Sequence, residues 1–494
     1  VASTECLHAE KNRLKCASYE PQNVKKSAPT SNLALFDGMI AMAAPVPPNM
    51  TKVITLIAVF TMLGAISSAN AHEKSCVVLR VQNYFDGQIG HRGVQTLITI
   101  ENDTVTSVTK AAHSAKSGCQ FIDLTSLFLT PGLVDAHTHV LLTDQSYGVD
   151  FSSELLRQSS LKPETRAIAA KIALRSLLYS GFTSIRDLGN SGVYEDLELR
   201  SELERGHEPM PRMFCSGPGI AILKGQFPKN SPPGLVAREY EIVKTATEAK
   251  AAVLHHQSKR VDLIKVYADV DPQPEITSQE ILNSVVESAH AKGLKVAAHA
   301  TMNESAHRAA IAGVDSIEHG YLLSEDTLKL MADKKIFLVA NDFDKRQCEM
   351  IGAHDKDPVY HPCSVYQKLR SQRLLSAKAH GIEIVFGSDM YLILDGDLVN
   401  RGPATIESLL AYSEEGLSPL EALKAATANA AHLLGQNDLG EIKTGARADI
   451  VGFEKSPLDS LNALRKVAFV MKAGKIVCGV RAATDKAGVS PCMK

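Results

Sequence analysis

Between residues 128 and 389 short apolar runs alternate with stretches of helical periodicity, and this alternation constrains the fold most. The strand-like runs are 128–135, 183–188, 212–217, 262–268, 295–300, 316–320, 337–342 and 383–389. Helical patterns lie between them, among others at 164–180, 243–258, 278–292, 303–312, 324–334 and 364–380. Ser278-Gln279-Glu280-Ile281 and Ser324-Glu325-Asp326-Thr327 carry the hydroxyl cap and early acid of helix starts. Strands each followed by a helix predict an α/β chain, a (β/α)8 barrel of the TIM type. In that architecture chemistry is built at the C-terminal ends of the strands, so the residues there become the candidates.

Six metal-capable side chains stand at those ends. Pro131-Gly132-Leu133-Val134-Asp135-Ala136-His137-Thr138-His139 carries two imidazoles, and period two puts His137 and His139 on one face of a strand. Lys265 closes Asp262-Leu263-Ile264-Lys265, His299 closes Lys295-Val296-Ala297-Ala298-His299, His319 follows Ser316-Ile317-Glu318, and Asp389 closes Ile384-Val385-Phe386-Gly387-Ser388-Asp389. Each has a plainer explanation alone. Lys265 could snorkel at a barrel end, His319 could sit in a turn, and Asp389 could cap the next helix. Together, at the ends of strands, they are hard to explain by core packing.

With these residues in view the chain resembles the amidohydrolase superfamily. The resemblance is to its branch with a binuclear metal centre and a carboxylated lysine, in the imidazolonepropionase-like subgroup that includes dipeptidases and N-acyl amino acid amidases. It runs from about Val77 to about Val480. It rests also on Thr183-Ser184-Ile185-Arg186-Asp187-Leu188-Gly189, on Leu423-Lys424-Ala425-Ala426-Thr427-Ala428-Asn429-Ala430-Ala431, and on Gly440-Glu441-Ile442-Lys443-Thr444-Gly445-Ala446-Arg447-Ala448-Asp449-Ile450-Val451.

The resemblance implies two divalent ions, by default zinc. His137, His139 and Asp389 would hold one, and His299 and His319 the other. An ammonium cannot bind a cation, so Lys265 would act as its N6-carboxylated form, a carbamate bridging both ions; burial favours this by freeing the amine. A hydroxide between the ions would attack a carbonyl, with Asp389 passing a proton to the leaving nitrogen. The expected reaction is hydrolysis of the C–N bond of a small amide, such as a dipeptide or an N-acyl amino acid. Arg186 and Asp187 are read as structural. Tyr267, on the face of Lys265, could meet substrate or simply pack; Lys224, Gln226 and Arg401 are loop candidates for a substrate carboxylate. Relatives often carry a Gly-Gly-His type loop after strand 3; here Gly217 to Phe227 contains no histidine, which leaves substrate preference open.

Three other readings compete. Hydrolysis of a cyclic amide or a lactone is one, although imidazolonepropionase activity is cytosolic and uses a single metal in the proteins resembled. A deaminase would want a histidine-glutamate helix motif where His299-Ala300-Thr301-Met302 stands. A non-catalytic metal-binding scaffold would be expected to lose ligands. His255, His256, His290 and His307 fall in helical patterns and are read as surface or packing residues.

Fifty-five acidic and 53 basic residues leave a net charge of −2 with no basic stripe, which excludes nucleic acid as an expected partner. Residues 1–49 lack periodicity and are expected not to belong to the mature protein. Residues 50–71 open on Met50-Thr51-Lys52, run uncharged from Val53 to Ile66 and end Ala69-Asn70-Ala71, the pattern of a signal peptide. Cleavage there leaves no membrane span, and the protein is expected to be exported, periplasmic or secreted. Nine cysteines, seven of them after Ala71, allow Cys348–Cys363 and Cys478–Cys492 pairs in an oxidising compartment and leave at least one thiol free. The short strands of 72–127 and those of 437–494 are expected, from the resemblance, to join as one small β-sandwich beside a barrel of 128–436. A homo-oligomer is compatible with the resemblance, but no segment reports an interface.

Overall fold

A computed structural model of the chain describes residues 75–110, 117–142, 151–206, 208–270, 275–352, 363–390, 397–479 and 492. Contacts divide the chain into Val1–His72 and Glu73–Lys494, and all described residues belong to the second unit. The expectations for 1–49 and for the signal peptide at 50–71 fall outside the described residues. Among the described residues no helix is long and apolar enough to cross a membrane.

The N-terminal strands are β1 (Cys76–Val81), β2 (Asn83–Phe85), β3 (Gly90–His91), β4 (Thr96–Glu101), β5 (Thr104–Lys110), β6 (Gln120–Asp123) and β7 (Phe128–Pro131). The parallel strands follow as β8 (Leu133–Thr138), β9 (Phe182–Asp187), β10 (Arg212–Cys215), β11 (Gly219–Ala221), β12 (Tyr240–Ile242) and β13 (Leu263–Tyr267). A short hairpin, β14 (Asp269–Val270) and β15 (Glu275–Ile276), precedes β16 (Lys295–Ala300), β17 (Ser316–His319), β18 (Phe337–Val339) and β19 (Ile384–Val385). The chain closes with β20 (Ile450–Phe453), β21 (Val467–Lys472) and β22 (Lys475–Cys478).

The central strands form two parallel sheets, β10-β9-β8 and β12-β11-β13-β16-β17-β18-β19. Backbone hydrogen bonds link them at both ends. Asp262 N donates to Cys215 O at 2.9 Å, Ala136 N to Phe386 O at 3.0 Å and Asp389 N to His137 O at 2.9 Å. With helices between the strands this is a TIM-barrel-like α/β fold. Leu174, Leu177 and Leu178 of the helix Pro163–Tyr179 pack with Phe182, Ile185 and Phe386 in the main core.

The terminal segments meet as the N- and C-terminal arms of one sheet, in the order β22-β21-β20-β7-β2-β3. A second sheet has the order β5-β4-β1-β6, and Leu79, Ile98 and Ile122 share one apolar cluster with Leu129, Ile450 and Met471.

Two strand expectations are corrected. Residues 128–135 are not one strand. β7 pairs with β20 and β2 in the terminal sheet, and the chain changes sheets at Gly132, where a Cβ would lie 2.1 Å from Thr183 Oγ1. Likewise 212–217 ends at Cys215, and β11 resumes beyond Pro218 against β13. Proline has no amide to give to the ladder, which accounts for the interruption. Cys348–Cys363 and Cys478–Cys492 are paired, as the spacing allowed; Cys76–Cys119 is a third disulfide and Cys215 a buried free thiol.

Candidate metal centre

His137 lies in β8 and His139 one residue beyond it, Lys265 in β13, His299 in β16 and His319 at the end of β17; Asp389 follows β19. Parallel register aligns these positions. Tyr267, two residues past Lys265, stands beside His299, and Ala300 stands beside His319. All six candidate side chains therefore come to one end of the parallel strands, as the sequence predicts.

The imidazoles converge on Asp389. His139 Nε2 is 3.2 Å and His137 Nε2 3.6 Å from Asp389 Oδ1, and His319 Nε2 is 3.8 Å from Oδ2. His137 Nε2 and His139 Nε2 are 3.3 Å apart. His137, His319 and Asp389 can each offer an atom within 4.8 Å of the others, so this group could hold a metal ion. That triad joins members of both expected ligand sets. His299 stands beside it, its ring centroid 4.6 Å from that of His319.

The far nitrogens are engaged, which fixes the tautomers. His137 Nδ1–H donates to Glu318 Oε2 at 2.7 Å, and His139 Nδ1–H donates to the Gly189 carbonyl at 2.8 Å. Both Nε2 lone pairs are thereby left facing Asp389, the arrangement of metal-ligating histidines. Glu318 is itself held by Arg186, whose Nη2 donates at 2.8 Å. His299 Nε2 lies 3.3 Å from Asp269 Oδ1. The Asn341 amide lies 2.9 Å from His137 Nδ1 and 3.5 Å from His319 Nδ1.

Burial keeps the cluster ready for a cation. It pushes His299 down to about 4, and His137 and His319 well below their ordinary value. Burial works against the Asp389 carboxylate too, yet its net shift is downward. Lys265 is fully buried, and that lowers its ammonium to about 8. Among the described residues its Nζ makes no hydrogen bond or ion pair; it sits 5.2 Å from the centre of the Tyr267 ring. Buried neutral imidazoles, a carboxylate and an unpartnered lysine fit a divalent-metal site.

The substrate-binding candidates separate, and Arg401 opens the helix Arg401–Glu414 rather than lying in a loop. Tyr267 is buried between Lys265 and His299, its ring 5.1 Å from that of His299. Gln226 Oε1 accepts from Tyr240 OH at 3.2 Å. The Lys224 ammonium is used by the carbonyls of Lys229 and Ser231, at 2.6 and 3.0 Å. Arg401 is buried, and among the described residues none of its guanidinium nitrogens has a hydrogen-bond partner. Burial lowers it to about 10, against the opposing charges of Asp135, Asp187 and Asp389.

Arg186 and Asp187 are structural, but not remote. Arg186 holds the carboxylate that orients His137, and Asp187 Oδ1 accepts from Val140 N at 2.7 Å just beyond His139. Sequence reasoning missed Glu318 and Asn341 as partners of the histidines, and Asp269 as the carboxylate beside His299. Asn341 had a signal: it stands at the end of the expected strand 337–342.

The sequence profile of the amidohydrolase family matches residues 128–477. The chain belongs to the amidohydrolase family. Members are generally metal-dependent, and the family places the protein among hydrolytic enzymes. The chain is 27% identical to an ochratoxinase of Aspergillus niger over 379 residues, 71% of this chain and 76% of that one. An imidazolonepropionase of Anaeromyxobacter dehalogenans is 26% identical over 390 residues, 73% of this chain and 84% of that one. Among solved structures, an Xaa-Pro dipeptidase with methionine bound in its active site superposes with a TM-score of 0.68 at 25% identity, covering 81% of this chain and 99% of that one.

Proposed function

We propose that this amidohydrolase is an exported, zinc-dependent enzyme that hydrolyses the C–N bond of small amides, namely dipeptides or N-acyl amino acids. The observation that carries the reading is the convergence of three imidazole Nε2 atoms on Asp389 beside a buried, unpaired Lys265. On this reading the parallel strands are a closed (β/α)8 barrel and the terminal sheets a β-sandwich. The mature domains are 72–127, 128–436 and 437–494. The similarity to an Xaa-Pro dipeptidase supports a peptide-like substrate.

His137, His139 and Asp389 would hold one ion, and His299 and His319 the other, with Lys265 holding both as its carbamate. Zinc bound there would supply an acidified water and a polarised carbonyl. Glu318 and the Gly189 carbonyl keep His137 and His139 in the ligating tautomer. Asp389 takes the proton of the attacking water and delivers it to the leaving nitrogen, without which an amide anion is too poor a leaving group. Tyr267 walls the site beside Lys265. Arg401, with no hydrogen-bond partner among the described residues, is the assigned receptor for a substrate carboxylate; Gln226, already bonded to Tyr240, is the weaker candidate.

The test is metal content of protein expressed from Met50, with amino-acid release from a library of dipeptides and N-acyl amino acids. Two zinc ions per chain with hydrolysis are expected. One ion, or none, with full activity after chelation would overturn the reading. Lys265→Ala is expected to abolish most activity, and full retention would remove the carbamate from the scheme.

A further inference from the structure

Three non-glycine residues at or just beyond the ends of consecutive strands hold left-handed backbone: His319 at φ +69°, Asn341 at +56° and Asp389 at +47°. Such conformations persist only where the surroundings impose them. Beside the first two, one side chain bonds to both strand ends. Arg373, buried in the helix Cys363–Ala379, spreads its guanidinium across both strand ends. Nη1 donates to the carbonyls of His319 and Ala340, the latter at 3.2 Å. Nη2 donates to both carboxylate oxygens of Asp342, one at 2.6 Å. The contacts thus bracket Asn341 on either side and grip His319 directly. The guanidinium also lies 5.5 Å from the centre of the Tyr321 ring, and Tyr321 OH is 3.2 Å from His319 Nδ1.

We propose that Arg373 is a positioning residue of the metal centre, which clamps the ends of β17 and β18 so that His319 and Asn341 face His137 and Asp389. A flat fork with fixed donor directions is required to reach two carbonyls and a carboxylate at once. Lysine, a single point charge, can keep Asp342 but not the span. The inference rests on the reading of His319 as a metal ligand, and its test separates the two.

Zinc affinity of the metal-stripped full chain is measured by competition with a chromophoric chelator. The proteins are wild type, His319→Ala, Arg373→Lys and the double variant Arg373→Met/Asp342→Leu. The double variant removes both members of the buried pair and leaves no orphan charge. Arg373→Lys and the double variant are expected to fold and to bind zinc about 10- to 100-fold more weakly, the range for residues behind a metal ligand. Saturating zinc should restore part of the hydrolytic rate. Wild-type affinity in both Arg373 variants, with His319→Ala weakened, overturns the clamp and leaves the site intact. Wild-type affinity in His319→Ala overturns the site assignment itself. Failure of both Arg373 variants to fold also overturns the proposal, because Arg373 would then serve the core as a whole.

Discussion

At the scale of single residues, Gly387 shows how little room the cluster leaves. A Cβ there would lie 2.6 Å from His137 Cβ and 2.5 Å from Asn341 Oδ1, so any side chain pushes two members of the centre apart. Gly387→Ala is expected to fold yet to lose at least tenfold in zinc affinity, of the order seen when the shell behind a ligand is disturbed. Unchanged affinity in a chelator competition would show that the cluster tolerates the shift. Asp389→Asn tests a different role. It keeps the shape and removes the proton acceptor, so at saturating zinc kcat should fall by about 10²–10⁴ with KM little changed; a comparable rise in KM alone would make Asp389 a binding group. The six candidate ligands were legible because each ends an apolar run, where the barrel pattern puts chemistry. Their partners were not. Glu318 meets His137 across 181 residues and Asn341 does so across 204, and such pairings come from strand register rather than from local spacing.

Among elements, the helices follow the sequence closely: the expected 303–312 is observed as Asn303–Ala312, and 324–334 as Glu325–Asp333. Ser324 caps the latter by accepting from Thr327 N, as its hydroxyl predicts. Strand limits were harder. The expected 383–389 shrinks to Ile384–Val385, and the end of that run turns left-handed at Asp389. The helix Ala246–Ser258 buries His256, whose Nδ1 lies 3.2 Å from Tyr194 OH. Burial lowers this imidazole from 6.5 to about 4. The unfolded chain therefore binds the proton first. Stability from this group is complete above about pH 6.5 and lost as the pH falls toward 4, a total of about 3 kcal/mol. Between about pH 7.5 and about pH 5, urea unfolding of wild type should lose roughly 2 kcal/mol more than that of His256→Leu. Equal losses would mean that His256 keeps its ordinary affinity for protons in the fold.

For the whole molecule, the paired cysteines bear on where the protein matures. Cys76–Cys119, Cys348–Cys363 and Cys478–Cys492 each close a loop, of 43, 15 and 14 residues in separation. Closing a loop of about 15 residues stabilises a fold by about 3 kcal/mol in the chain-entropy account. Such bonds form and persist mainly in oxidising compartments, the setting proposed for this protein from residues 50–71. The two ideas make one countable prediction. Cleavage after Ala71 removes Cys6 and Cys16 from the nine cysteines and leaves seven, and three disulfides consume six of these. The seventh, Cys215, is fully buried, and burial raises its thiol well above the ordinary value. Protein secreted by its own leader should begin at His72 by N-terminal sequencing. It should show no reactive thiol when native and one in denaturant without reductant. Seven thiols in denaturant would move the folded protein to a reducing compartment and end the case for export, while leaving the metal centre and its chemistry untouched.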